Sequence, residues 1–143
     1  MSYAVYTLPG SATLAEAHAV RRAVFIEEQG VSEAEEMDGR DEAATHVVVT
    51  DRTGGRPVAT ARLRDVGAAK IERVAVREAY RGRGLGRRLM SVVESLARTR
   101  GHDEAVLHAQ TAVEDFYAAL GYETVGDEFV EADIPHVEMR KPL

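Results

Sequence analysis

The stretch "IERVAVREAYRGRGLGRRLM", residues 71–90, decides how the rest of the chain is read. Its first six residues are rich in Val and Ile and suit a strand. From Gly84 onward Leu85, Leu89, Met90, Val93, Leu96 and Ala97 fall on one stripe, with Arg87, Arg88, Glu94 and Arg98 outside it. That spacing predicts an amphipathic helix over residues 84–100. Between strand and helix the loop is crowded with glycine and arginine. A junction of this kind leaves the first helical N–H groups without intrahelical partners, beside the positive end of the helix dipole, and so suits a phosphate. Gly82, Gly84 and Gly86 let main-chain amides approach an oxygen with no Cβ in the way, and Arg81, Arg83, Arg87 and Arg88 supply charge nearby. The plainer alternative is a flexible turn with solvated arginines. The placement between a strand and an amphipathic helix argues against it.

This concentration of positive charge sits in an acidic chain of 143 residues with a formal net charge of −6. Two unit charges 4 Å apart interact by about 4 kcal/mol at an effective dielectric of 20, while surface acids beyond roughly 8–10 Å are screened. The local arginines therefore outweigh the global balance. An acidic surface argues against nucleic acid as a partner, because phosphate neutralisation along a duplex needs a broad basic face. The length predicts one domain over residues 1–143. The absence of cysteine excludes disulfides, thiolate metal sites and a cysteine nucleophile. His18, His46, His102 and His108 show no metal-ligand spacing, so no metal is expected. No leader pattern and no window of roughly 18 apolar residues is found, and the expectation is a cytoplasmic protein that makes no use of a membrane.

Around the central stretch, "YAVYTL" reads as a first strand, and Thr13 with Glu16 forms a capping-box pattern opening a helix to about Glu28, stopped by Gly30. Residues 27–42 carry eight acids against one arginine and read as a loop with one short helical turn at most. "THVVVTD" and "RPVATARLRD" form a hairpin through "RTGG", "AKIERVAV" is the next strand, and "EAVLHAQ" follows the long helix. "AVEDFYAALGY" is a helix ended by Gly121, and "YETVGDEF" with "HVEMRK" closes the chain as a hairpin. The order predicts an α/β (α+β mixed) fold, a mixed sheet with helices on its faces.

Rival phosphate motifs do not fit: G-x-x-x-x-G-K-[ST] is absent and "GRGLGR" lacks the last glycine of G-x-G-x-x-G. No serine stands in a G-x-S-x-G elbow. The residues resemble instead the GNAT superfamily of acyl-CoA N-acyltransferases, in a small prokaryotic single-domain branch. Arg81, Gly84 and Gly86 stand at the fixed positions of its [RQ]-x-x-G-x-[GA] signature, and "FYAALGY", residues 116–122, looks like its F-Y-x-x-x-G-[FY] block. "AVFIEEQG", "AQ" and "IPH" extend the likeness almost end to end. Many members carry Asn seven residues before the tyrosine, where this chain has Gln110.

The resemblance implies a GNAT-type central, mixed, splayed sheet flanked by helices on both faces, in which "IERVAV" parts from "EAVLHAQ" and acetyl-CoA lies in the gap. It implies that the backbone of Val74, Ala75 and Val76 holds the pantetheine arm. It implies also that residues 81–87, namely Arg81, Gly82, Arg83, Gly84, Leu85, Gly86 and Arg87, hold the diphosphate, with Gln110 and Phe116 lining the cofactor site. Tyr117 is then the candidate proton donor to the leaving sulfur, although a core aromatic is the alternative. Phe25 and Glu28 would wall the acceptor pocket, and the acids of residues 27–42 either draw in a cationic amine or form a solvated face. Glu72 is a candidate general base, or an ordinary strand ion pair. His136 is another, or a structural histidine. The expected activity is transfer of an acetyl group from acetyl-CoA to a primary amine of a small molecule or peptide, by direct attack in a ternary complex. An acyl-CoA-binding sensor without turnover is the alternative. A homodimer through an exposed strand of the closing hairpin is expected from the same likeness.

Overall fold

The computed structural model describes residues 2–143. Seven strands form one sheet: β1 (Tyr3–Pro9), β2 (Thr45–Asp51), β3 (Arg56–Asp65), β4 (Ala69–Val76), β5 (Glu104–Gln110), β6 (Glu123–Glu131) and β7 (Ile134–Pro142). Their spatial order is β1-β2-β3-β4-β5-β7-β6. Every neighbouring pair is antiparallel except β4 with β5. The helices are α1 (Ala15–Arg21), the one-turn α2 (Glu33–Glu36), α3 (Leu85–Thr99) and the short α4 (Glu114–Ala118).

Strand alternation sorts the sheet residues onto two faces. Val47, Val49, Ala59, Ala61 and Leu63 join Leu85, Leu89, Met90 and Val93 of α3 in the main core. Each fully buried side chain of this size contributes about 1.5–3 kcal/mol. Thr60, Arg62 and Ala75 alternate with these and face α1, where Val20 and Val24 pack on Ala75. The sheet is thus covered by α3 on one face and α1 on the other, as the periodicities predict.

Two local readings change. Leu14, not Thr13, precedes α1, and no side chain caps it; Glu16 lies instead against the Tyr6 hydroxyl. A partner on β1 has taken the carboxylate that a capping box would use. The helix also widens into a π-helical segment over Arg22–Glu28, a rare winding found often at functional sites. The stop at Gly121 is where expected (φ 97°), but α4 spans only five residues, because a 3-10 turn over Thr111–Val113 precedes it.

Candidate active site

β4 and β5 are paired only through Ala69 with Ala105, Lys70 with Val106 and Ile71 with Leu107. Beyond these pairs they part. The cause lies on the other edge of β4, where one extra residue separates the Glu72–Arg62 and Ala75–Thr60 pairs. A bulge of this kind bends and twists its strand. Arg73 occupies it at φ 54°, a left-handed conformation costing an ordinary residue roughly 1–2 kcal/mol. Its guanidinium is tied to the carbonyl oxygens of Glu35 (3.2 Å) and Glu36 (3.1 Å) and to the Glu36 carboxylate (2.7 Å), which holds the strained turn in place.

The gap is the wall of a cavity of about 610 Å³, lined by residues 70–76 of β4 and 107–110 of β5. Val74, Ala75 and Val76 line it, and their partners on β3 leave the β5-facing edge of this segment without a strand. At its mouth Gly82 (φ 76°) and Gly84 (φ 79°) adopt left-handed conformations, and a Cβ on either would project into open space. Gly84 is the N-cap of α3 with no side-chain cap, so the amides of Leu85, Gly86 and Arg87 have no capping partner. Helix dipole, uncapped amides and the lining Arg87 make this junction fit for a diphosphate. Gly86 has a second role, since a Cβ there would meet Phe116 Cζ at 3.2 Å.

The arginines of the loop do not act alike. Arg81 lines the cavity, but its two terminal nitrogens each donate to the Glu28 carboxylate at 2.6 Å, and its Nε donates to the Val76 carbonyl (3.0 Å). The hydrogen bond from Arg81 holds the Glu28 carboxyl below its ordinary range. Arg83 turns away from the cavity, donating to the Tyr3 hydroxyl (3.2 Å) with its guanidinium over the Tyr80 ring. Leu85 puts its side chain into the core and offers the junction only its main chain. Arg83 thus turns its guanidinium toward Tyr3 and Tyr80, and Leu85 keeps only the main-chain amide that the resemblance implies for it.

Tyr117 lines the cavity and is 7% exposed, with Phe116 and Tyr122 edge-on against it at 5.0 and 6.0 Å. Its hydroxyl hydrogen-bonds to no other described residue, and burial pushes its pKa well above that of a free tyrosine. It is therefore protonated at neutral pH, with its O–H available to the cavity. Gln110 lines the cavity too, donating to the Gln29 side chain (2.8 Å), so residues 28 and 29 bridge the gap to its two sides.

The two candidate bases differ sharply. Glu72 lines the cavity, yet Arg64 donates to its two oxygens at 2.5 and 3.2 Å and Arg62 to one at 3.1 Å, with Lys70 at 3.6 Å. Burial would raise its pKa, but the Arg64 hydrogen bonds and these charges prevail and lower it. It is an ion-paired strand residue. His136 is nearly buried, lines the cavity, and has Nδ1 at 2.7 Å from the Ile134 carbonyl. A carbonyl oxygen only accepts, so Nδ1 carries the hydrogen and Nε2 is the proton-accepting nitrogen of the neutral ring.

Within residues 27–42 three acids meet buried arginines. Arg62 is 0% exposed and binds Asp38, Asp41 and Glu72, while Arg21, 1% exposed, binds Glu36 and Asp41 at 2.7 Å each. Three of these acids, Glu36, Asp38 and Asp41, are counterions of the two buried arginines, whereas Glu27, Glu28, Glu33, Glu35 and Glu42 are exposed, as the solvated-face alternative expects. Sequence reading missed Gln29, Lys70, His108 and Glu131, all of which line the cavity. Strand alternation placed His108 on the face of Gln110, but nothing in the sequence set the end of β6 beside it.

A sheet that parts between its two parallel strands, with an uncapped glycine-lined helix start at the mouth of the gap, defines a protein built to hold a long, phosphate-ended acyl carrier. The family model for the acetyltransferase (GNAT) domain matches residues 13–143. The chain is 43% identical to the uncharacterised protein YyaT of Bacillus subtilis, over 92% of this chain and 90% of that one. It is 38% identical to the uncharacterised N-acetyltransferase YjcF of the same organism, over 90% and 91%. A crystal structure of an acyl-CoA N-acyltransferase from Pseudomonas aeruginosa superposes with a TM-score of 0.87 at 29% identity, over 98% and 99% of the two chains. The chain belongs to the GNAT acetyltransferase family, whose chemistry is acyl transfer from acyl-CoA.

Proposed function

We propose that the protein is an acetyl-CoA-dependent N-acetyltransferase acting on a primary amine of a small molecule or peptide, with residues 1–143 working as one catalytic unit. The observation that carries this reading is the parting of β4 from β5 beside the bulge, which leaves one edge of Val74, Ala75 and Val76 free to pair with an amide-bearing arm. Acetyl-CoA supplies the activated acyl group as a thioester. The chain supplies the rest: amides of residues 84–87 and Arg87 seat the phosphates, and main-chain N–H groups near Val74 stabilise negative charge developing on the carbonyl oxygen.

Two proton movements are needed. The amine, arriving as an ammonium, gives one proton to Nε2 of His136 and uses the pair it keeps for the new C–N bond; the second proton that the nitrogen loses as the C–S bond breaks goes to the departing sulfur, to which Tyr117 donates a hydrogen bond. A free thiol has a pKa of about 8.5 and a free tyrosine about 10, so full transfer from Tyr117 is uphill; burial makes it more so. Tyr117 thus acts chiefly as a hydrogen-bond donor. Glu72 has a structural part, fixing β4 beside the bulge.

Isothermal titration with acetyl-CoA, joined to acceptor-dependent thiol release over polyamines, amino acids, amino sugars and peptides, tests the reading. Saturable binding and amine-dependent release are expected. No heat at about several hundred micromolar would remove the cofactor site, and binding without release by any amine would leave a sensor.

A further inference from the structure

We propose that Glu131 is the anchor for the acceptor's ammonium group, so that the cavity selects acceptors arriving as primary alkylammonium cations; this rests on the acyl-transfer reading above. Three acids line the cavity: Glu28, Glu72 and Glu131. Glu28 is held by the Arg81 fork and Glu72 by Arg62 and Arg64. Glu131 alone of the three has no arginine or lysine partner among the described residues. Its carboxylate faces two imidazoles instead, Oε1 at 3.3 Å from His108 Nδ1 and Oε2 at 3.8 Å from His136 Nε2. The His108 contact is a long hydrogen bond to one oxygen and the His136 contact is too long to be one, so of the roughly four acceptor sites of the carboxylate most stay open to a cation.

The surroundings hold this group in place. His108 is fixed from behind by Glu138, with Nε2 at 3.3 Å from Oε1, and Phe129 packs edge-on to His108 at 5.0 Å and stacked on His136 at 5.9 Å. Register accounts for the meeting, since His108 is opposite Glu138, Gln110 opposite His136 and Phe129 opposite His136. The cavity is thereby polarised. Arg87 on the α3 wall forms no ion pair among the described residues and suits the phosphates; Glu131 on the β6–β7 wall suits a cation. Glu131 is 51% exposed, so the acceptor reaches it from solvent.

A primary alkylamine is a cation at neutral pH, with a pKa of about 10.4 for the lysine model, and has to lose one proton before it attacks. Seated on Glu131, it lies next to the imidazole nitrogen that faces the same carboxylate. One N–H bond of the ammonium breaks, the Nε2–H bond of His136 forms, and the amine keeps the pair. Glu131 is then a binding residue and His108 a positioning residue behind it.

Two measurements on wild type and Glu131→Gln test this. In steady-state kinetics with acetyl-CoA and butylamine, the variant is expected to raise KM for the amine about tenfold or more, the loss of one charge-assisted hydrogen bond, with kcat changed less than about threefold and acetyl-CoA affinity unchanged. Glu131→Asp should fall between. In NMR titrations of the His108 and His136 imidazole resonances, butylammonium chloride should shift both in wild type and neither in Glu131→Gln, while sodium butyrate shifts neither. An unchanged KM in an active variant, equal butylammonium shifts in both proteins, or shifts by butyrate would each overturn the proposal. If wild type shows no amine-dependent thiol release, the acyl-transfer reading fails, and the NMR titration still decides whether Glu131 holds an ammonium.

Discussion

Beneath α1 and along the β4–β5 gap lie two groups of charged side chains separated by little more than the width of β4, and they are treated in opposite ways. Under α1 the charges are paired: Arg21 and Arg62 are buried and each meets at least two carboxylates, although Arg62 Nε has no acceptor. In the gap, beside paired groups such as Arg81 with Glu28, three polar groups are under-partnered: the Tyr117 hydroxyl, Arg87 and Glu131 have no arginine, lysine or carboxylate ion-pair partner among the described residues. Burying charge without partners costs several kcal/mol, so the network under α1 is organised for the folded chain alone. Groups left waiting beside a cavity are organised for something that binds. Glu72 belongs to the first group although it borders the second. Of its two sequence readings, general base or strand ion pair, the ion pair with Arg62 and Arg64 is what the structure shows.

The contrast is open to attack at its strongest point first. Arg62→Met strips Asp38, Asp41 and Glu72 of a shared guanidinium, and should lower unfolding free energy in urea by about 3–5 kcal/mol. A loss under about 1 kcal/mol would show that the acids find water or other partners. Tyr117→Phe should behave in the opposite way, reducing kcat about 100-fold while leaving stability and acetyl-CoA affinity nearly unchanged, because no internal hydrogen bond is lost. A comparable fall in stability would make Tyr117 a core residue.

Acid should sharpen the same contrast on a smaller scale. Burial opposes ionisation of Asp38, but the hydrogen bonds and charge of Arg62 prevail and lower its pKa from 3.8 to about 2. Asp41 and Glu72 are lowered as well. A carboxyl whose pKa is depressed by folding contributes fully above its unfolded value near 4 and loses that contribution as pH falls toward the folded value. Asp38 is an exposed residue, so solvent screening limits its share to about 1 kcal/mol. Stability should therefore drop between about pH 4 and pH 2, and the drop should shrink in Asp38→Asn.

Much of the fold could be read from local pattern. The α3 stripe, the β3–β4 segments and the Gly-rich junction all follow from periodicity and from glycine at left-handed positions, and they recur in the structure where they were expected. What failed to show were features created by distant partners. Glu16 looked like half of a capping box until Tyr6 was beside it. Glu36, Asp38 and Asp41 looked like the rest of an acidic run until Arg21 and Arg62, remote in sequence, were found beneath them.

By itself the sequence determined the element order, the glycine- and arginine-rich junction ahead of α3, the family and the tyrosine that borders the gap, since each depends on neighbours within a few residues along the chain. Only the tertiary structure decided which charges are spent on folding and which stay open to a ligand. Partnering is a matter of distance in space: the bulge at Arg73 opens the gap, and the register of β5, β7 and β6 brings Glu131 to two histidines.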